Sequence, residues 1–530
     1  MEQIKNKKDN SSLSANHYPA FIDSFKNRKM AHHFFLKARS VDISTGRWWI
    51  VLINEVDAQR LGIMPGDELK LEWDSKTTEV ACDITKELIE PGEIGLFADI
   101  LKQYHIKEGD LVKLSFAKRA PSLQAIYKKL FKKSLTYQEI KSIVNDIVSY
   151  RLNDIEIAFF IAPAFDEKNF SEKELYYLTK AIAETGEILD FGQKIVAVKH
   201  SAGGLPGNRI TPIIVPIVAS FGICIPKTSS RSITSAAGTA DALETIMKVE
   251  FTTKEIYDLV KKNNSCMVWG GALKLAPADD RFIQITHSLG IEPYSKMVVS
   301  VMAKQVAMGV THLIIDLPVE KTAKISDMET AKKIKEIFLR LSRRFHIKSE
   351  VVISKSNGPI GRGIGPALEM RDALRVLQQK DNRPLDLEAK SVKLAGKLLE
   401  LTGKVKKNQG EKAALDSLIS GMAFKKMIQI VEAQGGNTLL DSESLSLGKY
   451  IYEVRATNSG MIKSINSRNL VELCRVLGAP ELKGSGIYLN KSVKENYKKG
   501  DVLFTLYSES DQRLSLALEV LEHLSIYSNS

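Results

Sequence analysis

Cysteine is scarce in this sequence, and its few thiols follow no pattern typical of a site. The 530 residues contain Cys82, Cys224, Cys266 and Cys474, and none belongs to a CxxC motif or a Cys/His cluster. Such spacing supports neither a disulfide framework nor a zinc site. The sequence therefore predicts a protein of a reducing cytoplasm, and we expect no metal site in it.

Long uninterrupted apolar runs are also absent. The most apolar stretch, residues 210–226, is broken by three prolines and by Gly222. It is too interrupted to span a membrane and is expected to be buried core, so we expect no membrane partner. Residues 1–30 are polar and rich in lysine, without the apolar centre of a signal peptide, which predicts a disordered arm.

What the chain does contain is typical of a soluble globular protein. Hydrophobic residues make up 44% and charged residues 26%, and the length suits two to four domains. The net charge of +12 suits anionic substrates or nucleic acid, and is equally compatible with a basic surface of no specific use. Because no RNA-binding or helix-turn-helix signature accompanies the charge, we expect no nucleic-acid partner.

Residues 31–118 carry an internal repeat. Residues 61–71 are echoed by residues 104–114, and each copy is a Gly-Asp turn followed by a strand that alternates apolar and charged side chains. Two such halves predict a small N-terminal β-barrel that resembles the double-psi barrels. It contains no recognisable chemistry, which favours a role in assembly or in shielding the substrate.

The rest of the chain predicts a multidomain α/β protein. Capping boxes at Thr136-x-x-Glu139 and Ser171-x-x-Glu174 begin helices in a helical lobe, residues 119–190. Residues 191–432 alternate strands and helices, typical of an α/β lobe with a mostly parallel sheet. Predicted strands are 195–198, 223–225, 267–269, 312–316 and 351–354, and predicted helices include 240–249 and 331–344. Residues 433–530 return to β signals and predict a C-terminal α+β domain.

The first candidate site is the turn Lys199-His200-Ser201-Ala202-Gly203-Gly204, which follows a short apolar strand. Side chains alternate along a strand, so Lys199 and Ser201 should face one way and His200 the other. Lysine, hydroxyls and glycine-exposed backbone N–H groups suit an inorganic anion. The turn lacks GxxxxGK[ST] and a GxGxxG with an acidic ribose ligand, which disfavours a nucleotide P-loop. Taken alone, such a sequence is more often a plain Gly-rich turn.

A second hydroxyl-rich turn lies at the other end of the next apolar element. Residues 225–231 read Ile-Pro-Lys-Thr-Ser-Ser-Arg, and Ser232, Ser235 and Thr239 follow Arg231 closely. Loops of this kind often only cap helices, but two such loops around one element favour an enclosed anion site. Farther along, Ser300 and Lys304 are four residues apart and share a helix face. This pair suits the edge of a nucleobase, although without further context a solvated lysine is favoured.

These motifs together resemble the thymidine and pyrimidine-nucleoside phosphorylases. In order, they are Lys-His-Ser-x-Gly-Gly at 199–204, Ile-Pro-x-x-Ser-x-Arg at 225–231, Ala-Gly-Thr-x-Asp-x-Leu-Glu at 237–244, Leu-Ala-Pro-Ala-Asp at 275–279 and Ser-x-x-x-Lys at 300–304. The resemblance runs from about residue 136 to the end. The N-terminal barrel, Trp-Gly-Gly-Ala at 269–272 and Gly-x-Gly-x-Gly-Pro at 361–366 are more similar to the branch of archaeal AMP phosphorylases and "type 2" thymidine phosphorylases.

The resemblance implies a lobed enzyme and a role for each matched residue. The helical lobe would include residues 277–308 and carry the base, the α/β lobe would carry phosphate, and closure would join them. Lys199, Ser201, Thr211, Ser229 and Thr239 match phosphate ligands. His200 matches the histidine that protonates or holds the leaving base, and Glu292 falls at the proton-donor position of the AMP-cleaving branch, where Asp is usual. Residues matching substrate contacts are Gly204, Ser230, Arg231, Ser232, Ile233, Thr234, Ser235, Ser300, Lys304 and Lys324.

The implied reaction is phosphorolysis of an N-glycosidic bond, with inorganic phosphate as co-substrate and no cofactor. The principal expectation is thymidine plus phosphate giving thymine and 2-deoxyribose 1-phosphate, in a homodimer or higher homo-oligomer. An Arg that contacts the base in the nucleoside enzymes is replaced near Ile285 and Thr286, so the alternative is a nucleoside 5′-monophosphate such as AMP, giving ribose 1,5-bisphosphate. A phosphoribosyltransferase and a scaffold with a degenerate core are the remaining alternatives.

Overall fold

The computed structural model describes residues 34–45, 49–117, 120–166, 169–202, 204–232, 235–273, 275–288 and 293–529. The predicted arm and the predicted site residues Ile233, Thr234 and Glu292 lie outside these ranges. The chain divides into two compact units. The first comprises Met1–Ala120 with Ser149–Arg151, and the second comprises Pro121–Val148 with Leu152–Ser530.

The first unit contains a closed six-stranded barrel. Its elements are β1 (Phe34–Val41), β2 (Ile50–Asn54), α1 (Glu55–Leu61), β3 (Glu68–Trp73), β4 (Lys76–Thr85), β5 (Glu93–Phe97), α2 (Ala98–Tyr104) and β6 (Leu111–Phe116). The strand order is β1-β5-β2-β4-β3-β6, so strands of the two sequence halves interleave. The fully buried Leu71 and Leu114 belong to its core. The predicted barrel is confirmed.

The two predicted Gly-Asp turns share one geometry. Gly66 and Gly109 have φ of 86° and 91°, a region that favours glycine. The carboxylate of Asp67 accepts a hydrogen bond from the N–H of Met64 at 2.8 Å, and Asp110 accepts one from Lys107 at 2.8 Å. The sequence repeat therefore corresponds to a structural repeat.

The second unit begins with a helical bundle of four helices: α3 (Leu123–Leu130), α4 (Tyr137–Val148), α5 (Asp154–Ile161) and α6 (Glu172–Ala183). Both predicted capping boxes are present. Glu139 and Glu174 accept the backbone N–H groups of Thr136 and Ser171 at 2.7 and 2.9 Å. Glu174 also forms a buried ion pair with Lys129 at 2.7 Å, so both charges are neutralised inside the bundle.

The α/β region follows. Its elements are β7 (Ala197–Ser201), α7 (Thr211–Ser220), β8 (Ile225–Ser229), α8 (Thr239–Leu243), α9 (Thr253–Asn263), β9 (Ser265–Trp269), α10 (Pro277–Ser288), α11 (Tyr294–Ala307), β10 (His312–Val319), α12 (Met328–Arg344), β11 (Lys348–Lys355), β12 (Gly363–Ile364), α13 (Pro366–Leu377), α14 (Leu385–Leu401), α15 (Gly410–Ile419) and α16 (Met422–Ala433). Helices α10 and α11 pack on the bundle helices α4, α5 and α6.

The sheet of this region is parallel, as predicted. Strands β11, β10 and β7 are hydrogen-bonded in that order, β8 pairs with β9, and a parallel bridge joins Val196 to Cys224. The predicted helix at 240–249 is wrong in extent, since α8 ends at Leu243. Beyond Leu243, backbone groups form hydrogen bonds with distant segments instead of helical ones. The N–H of Lys248 donates to the Gln434 carbonyl at 3.2 Å, and the Val249 carbonyl accepts from the N–H of Trp269 at 2.8 Å.

The remaining elements form an α+β region with its own core. They are β13 (Tyr450–Arg455), β14 (Gly460–Ile465), α17 (Ser467–Leu477), β15 (Gly486–Leu489), β16 (Asn496–Tyr497), β17 (Val502–Ser508), α18 (Asp511–Leu521) and β18 (Tyr527–Asn529). The sheets run β12-β15-β17-β13 and β16-β14-β18. The core includes Leu470 and Leu473 of α17 and Leu506 of β17. Among the described residues, no helix combines the length and the apolar character that crossing a bilayer would require.

Candidate functional site

The candidate site lies where the parallel strands end, and Lys199 of β7 is at its centre. Strand β7 extends to Ser201, beyond the predicted end at residue 198, because Lys199, His200 and Ser201 pair in register with β10. Only 3% of Lys199 is exposed, and its Nζ lies 3.4 Å from Oγ1 of Thr211, the first residue of α7. Burial holds the pKa of Lys199 well below its usual range, although the Asp316 carboxylate acts in the opposite direction.

Asp316 of β10 binds the residues around Lys199. Its Oδ2 accepts hydrogen bonds from Ser201 Oγ at 2.7 Å and Asn208 Nδ2 at 3.1 Å, and Lys390 Nζ lies 2.9 Å from the same oxygen. Burial works to raise the pKa of Asp316, but the ammonium groups of Lys390 and Lys199 hold it below its usual range. Asp316 is therefore an anion in the folded protein. Asp316 belongs to no local motif, so the sequence alone offers no reason to select it.

His200 faces away from Asp316 and is half-buried. Its pKa is held well below the usual range by burial and by the positive charges of Lys227, Lys199 and Lys304. The imidazole is therefore neutral at neutral pH. The charge of Lys304 on α11 thus contributes to the low pKa of His200 at the end of β7.

Strand β8 adds Lys227 and Ser229 to the site. Lys227 is 6% exposed, and burial together with the charge of Lys304 lowers its pKa to about 8. The Ser229 hydroxyl is buried at the end of the strand. Lys227 lies inside the Ile-Pro-x-x-Ser-x-Arg motif at a variable position, so the motif gave no reason to select it.

Unsatisfied polar atoms mark the same place. Four buried side-chain atoms here have no hydrogen-bond partner within the described ranges: His200 Nδ1, Asn208 Oδ1, Ser229 Oγ and Asp316 Oδ1. Buried polar atoms are normally paired, so a cluster of unpaired atoms beside two buried lysines indicates a site for a polar ligand.

The second turn has a different construction. Arg231 donates to Glu244 at 2.5 Å and to Glu250 at 2.6 Å, and its guanidinium lies 4.1 Å from the centre of the Trp269 ring. The guanidinium of Arg231 is therefore already bound by two carboxylates, while its predicted contact with the substrate stays a prediction. The two carboxylates and the Trp269 ring together hold the guanidinium within the turn.

Asp241 orders the backbone of this turn. Its Oδ2 accepts the N–H groups of Ser232 at 2.7 Å and Gly238 at 2.8 Å, and its Oδ1 lies 3.1 Å from Nζ of Lys483. Ser232 and Ser235 bond to each other at 3.0 Å. The exposed Ser230 contributes its carbonyl to Ala240 at 3.3 Å. The serines that match substrate contacts thus belong to one turn whose backbone is bound by Asp241.

Thr239 is bound by Arg209, a cation that no sequence motif indicates. Arg209 Nη1 donates to Thr239 Oγ1 at 2.5 Å, and its Nε donates to Glu369 at 2.8 Å. Glu369 is 1% exposed, and burial raises its pKa, although Arg209 opposes the shift. Arg209 therefore fixes the start of α8 against α13.

Gly204 and Lys324, which the resemblance matched separately to substrate contacts, lie close together. Gly204 has φ of 65°, and a Cβ built on it would lie 3.8 Å from Cγ and Cδ of Lys324. Gly207 has φ of 68°, and its Cβ would lie 2.4 Å from the Ile360 carbonyl. The loop after β7 thus requires glycine where it passes the Gly-x-Gly-x-Gly segment.

Ser300 and Lys304 share one face of α11, and their partner is Asp279 of the Leu-Ala-Pro-Ala-Asp motif. Ser300 Oγ donates to Asp279 Oδ2 at 2.5 Å, and Lys304 Nζ lies 2.9 Å from the same atom. Burial works to raise the pKa of Asp279, but the charges of Lys304 and Lys296 hold it below its usual range. Ile285 and Thr286 are buried in α10, and Thr286 donates to the Phe282 carbonyl at 3.0 Å. Neither supplies a cation to the base.

Comparison with known proteins covers most of the chain. Residues 123–186 match the family described as "Glycosyl transferase family, helical bundle domain", and residues 193–424 match "Glycosyl transferase family, a/b domain". These ranges coincide with the helical bundle and with the strands and helices that build the site.

Full-length relatives are similar across both units. An AMP phosphorylase of Methanocaldococcus jannaschii is 40% identical over 92% of this chain and 96% of its own length. One from Thermococcus kodakarensis is 41% identical over 91% of this chain and 95% of its own, and one from Methanosarcina acetivorans is 38% identical over 88% and 92%. The anthranilate phosphoribosyltransferase of Thermus thermophilus shares the fold over 58% of this chain and 99% of its own, with a TM-score of 0.50 and 15% identity.

Proposed function

This chain belongs to the family of the thymidine and pyrimidine-nucleoside phosphorylases, in the branch of the AMP phosphorylases, and we propose that it cleaves AMP with phosphate to adenine and ribose 1,5-bisphosphate. It is an enzyme, a pentosyltransferase that acts on nucleosides or nucleotides. The three relatives described above are AMP phosphorylases. They support the nucleotide alternative of the sequence analysis over the thymidine expectation.

The observation that carries the proposal is the buried cationic pocket at the ends of β7 and β8. Lys199 and Lys227 are 3% and 6% exposed, and the Ser229 hydroxyl and His200 Nδ1 lack partners in the described structure. Without a bound anion, such a pocket lowers the stability of the folded protein, because burial opposes the charge on both lysines. An oxyanion would restore the charge balance and satisfy the hydroxyls.

The reaction follows from this placement. Phosphate held by Lys199, Ser201, Thr211 and Ser229 would attack C1′ of the ribose as the base departs, through a transition state with oxocarbenium character. His200 is neutral, so it would donate a hydrogen bond to the leaving base rather than deliver a proton as imidazolium. We propose inorganic phosphate as co-substrate and no cofactor, since the lysines neutralise its charge.

The proton for the base would then come from Glu292, which lies outside the described residues. Glu292→Gln should slow adenine release about 100-fold or more, because a neutral amide cannot act as an acid. Nucleotide binding should be retained, as measured by protection against thermal unfolding. An unchanged rate would assign the proton to another group.

Lys324 is proposed to contact the 5′-phosphate. Its side chain passes the Gly204 backbone, where the turn after β7 lacks a side chain. Arg231 is not used for this purpose, because Glu244 and Glu250 already bind it. We also propose a cytoplasmic homodimer or higher homo-oligomer, as the family resemblance implies.

The test is a substrate panel. The purified protein is incubated with AMP, CMP, UMP, thymidine and uridine, each with and without phosphate, and free base is measured by chromatography. Adenine should appear from AMP only when phosphate is present. Release of thymine from thymidine without release of adenine from AMP would favour thymidine phosphorolysis instead. Absence of free base with every substrate would favour a scaffold protein.

A further inference from the structure

The two carboxylate oxygens of Asp316 have very different surroundings. Ser201, Asn208 and Lys390 all contact Oδ2, at 2.7, 3.1 and 2.9 Å. Oδ1 is buried and accepts no hydrogen bond from the described residues. The residue is 0% exposed, so bulk water does not supply the missing donor. Asp316 Oδ1 is therefore a buried anionic oxygen that lacks a hydrogen-bond donor among the described residues, and it belongs to the same group of side chains as the proposed phosphate ligands.

Ser201 is restricted by the same contact. A hydroxyl has a single proton, and Ser201 donates it to Asp316. Towards a ligand, its oxygen can then only accept. Asp316, Ser201 and the Oδ1 of Asn208, unpaired among the described residues, thus present lone pairs beside the buried lysines.

Lone pairs in an anion site discriminate between oxyanions by their protons. At neutral or mildly alkaline pH, phosphate and arsenate retain an acidic hydroxyl, whereas sulfate and selenate have none. A hydroxyl-bearing anion can donate to Asp316 or Ser201. A fully deprotonated one would place its oxygens against a carboxylate, which is repulsive.

We propose that Asp316 and Ser201 accept a hydrogen bond from the protonated oxygen of the phosphate co-substrate. This contact makes the site selective for protonated tetrahedral oxyanions over sulfate. This inference rests on the proposed function. It also orients the nucleophile: the P–OH group faces β10, and a deprotonated oxygen is directed by Lys199 towards the ribose.

The ionisation of Asp316 is consistent with this role. Its pKa is held below the usual range, against the effect of burial, by Lys390 and Lys199. The groups facing it from neighbouring elements are Ser201 of β7, Asn208 of the following loop and Lys390 of α14. The carboxylate therefore remains an acceptor throughout the neutral range.

The first experiment needs no variant and no turnover. Dissociation constants of wild-type protein for phosphate, sulfate, arsenate and selenate are measured by calorimetry at mildly alkaline pH, where all four are dianions. Phosphate should bind at least about tenfold more tightly than sulfate, and arsenate than selenate. Equal binding within each pair would overturn the inference while leaving phosphorolysis intact. Absence of phosphate binding would instead contradict the proposed function.

The second experiment assigns the selectivity to its residue. In Asp316→Asn, an amide can donate to sulfate and Ser201 can turn its proton to the ligand, so the preference should fall to about threefold or less. Asp386→Asn is the matched control, because Asp386 is an exposed carboxylate one turn before Lys390 on α14. It should retain the wild-type preference. A folded Asp316→Asn protein that still prefers phosphate to the wild-type extent would overturn the assignment to Asp316. If that variant does not fold, the inference is decided by the wild-type comparison of phosphate with sulfate and of arsenate with selenate.

Discussion

Two turns of this protein look alike in sequence and differ in construction. The segment that runs from the end of β7 into its following turn and the segment that follows β8 each combine a cation with glycine and hydroxyl residues. In the first, the Lys199 ammonium has one long hydrogen bond to the described residues, 3.4 Å to Thr211, and burial disfavours its charge. In the second, Arg231 is bound by Glu244 and Glu250 and lies over Trp269.

The difference in contacts indicates that Lys199 is suited to bind a ligand, whereas Arg231 stabilises its loop. A buried lysine without an anionic partner at hydrogen-bond distance gains most when an anion binds, whereas an arginine with two carboxylates gains little. Motif matching cannot distinguish them, because both stand at fixed positions of an anion-binding pattern. The contacts of each cation make the distinction.

The largest expected effect is at Lys199. Lys199→Met should lower kcat/KM for AMP by about 10³-fold, because a charge that stabilises the attacking phosphate is lost in a dry site. Stability should be unchanged or improved, since an unfavourably buried charge is removed. Steady-state kinetics and thermal unfolding check both.

The matched control is Lys129→Met. Lys129 is also fully buried, but it is paired with Glu174 at 2.7 Å. Its loss should cost about 3–5 kcal/mol of stability by leaving that carboxylate unpaired. A Lys199→Met enzyme with near-normal kcat/KM would remove the proposed difference between the two turns.

The next effect is a pH dependence that arises from Lys227, whose pKa is about 8. Phosphate favours the charged lysine, so its affinity should fall by about tenfold as the pH rises through this value. Calorimetric titration of phosphate across that range measures it, with Lys227→Met as the variant that loses the dependence. A pH-independent affinity in the wild type would contradict the placement of Lys227.

The same residue predicts a change in stability without ligand. The folded-state pKa of about 8 lies below the reference value of 10.5, so the unfolded chain binds more protons between these values. The free energy of unfolding should therefore rise with pH over this interval, by about 1–3 kcal/mol relative to Lys227→Met. Chemical unfolding at several pH values tests the sign.

The smallest effect is expected at Arg231. Arg231→Lys should raise KM for AMP about threefold to tenfold with kcat nearly unchanged, because a lysine cannot bind two carboxylates and stack on Trp269 equally well. Arg344→Lys is a suitable control, since Arg344 pairs with Glu172 at 2.9 Å and lies 5.6 Å from the Tyr176 ring. A loss of about 100-fold in kcat would show that Arg231 touches the reacting groups.

Local signals made most of the fold predictable. The capping boxes at Thr136 and Ser171 and the turns at Gly66 and Gly109 are formed by residues within a few positions of each other. The end of β7 was missed because Lys-His-Ser is polar and resembles a turn. Only its pairing with β10 makes it a strand.

The site was less predictable, since its supporting contacts join distant parts of the chain. Ser201 and Asp316 are 115 positions apart, and Arg209 and Glu369 are 160 apart. Neither Asp316 nor Arg209 stands in a periodic pattern that would have distinguished it from a surface residue. Motifs therefore selected the candidate ligand-binding residues, whereas the residues that hold them in place required the three-dimensional structure.

The interleaved barrel has a consequence for how this protein is made. Strand β1 pairs with β5 and β6, and β2 pairs with β4 and β5, so neither half of the barrel contains all its own neighbours. During synthesis, the first strands leave the ribosome long before their partners. The barrel can close only after residue 116 has emerged, and a chain stopped or cut within residues 34–116 leaves open sheet edges that invite aggregation.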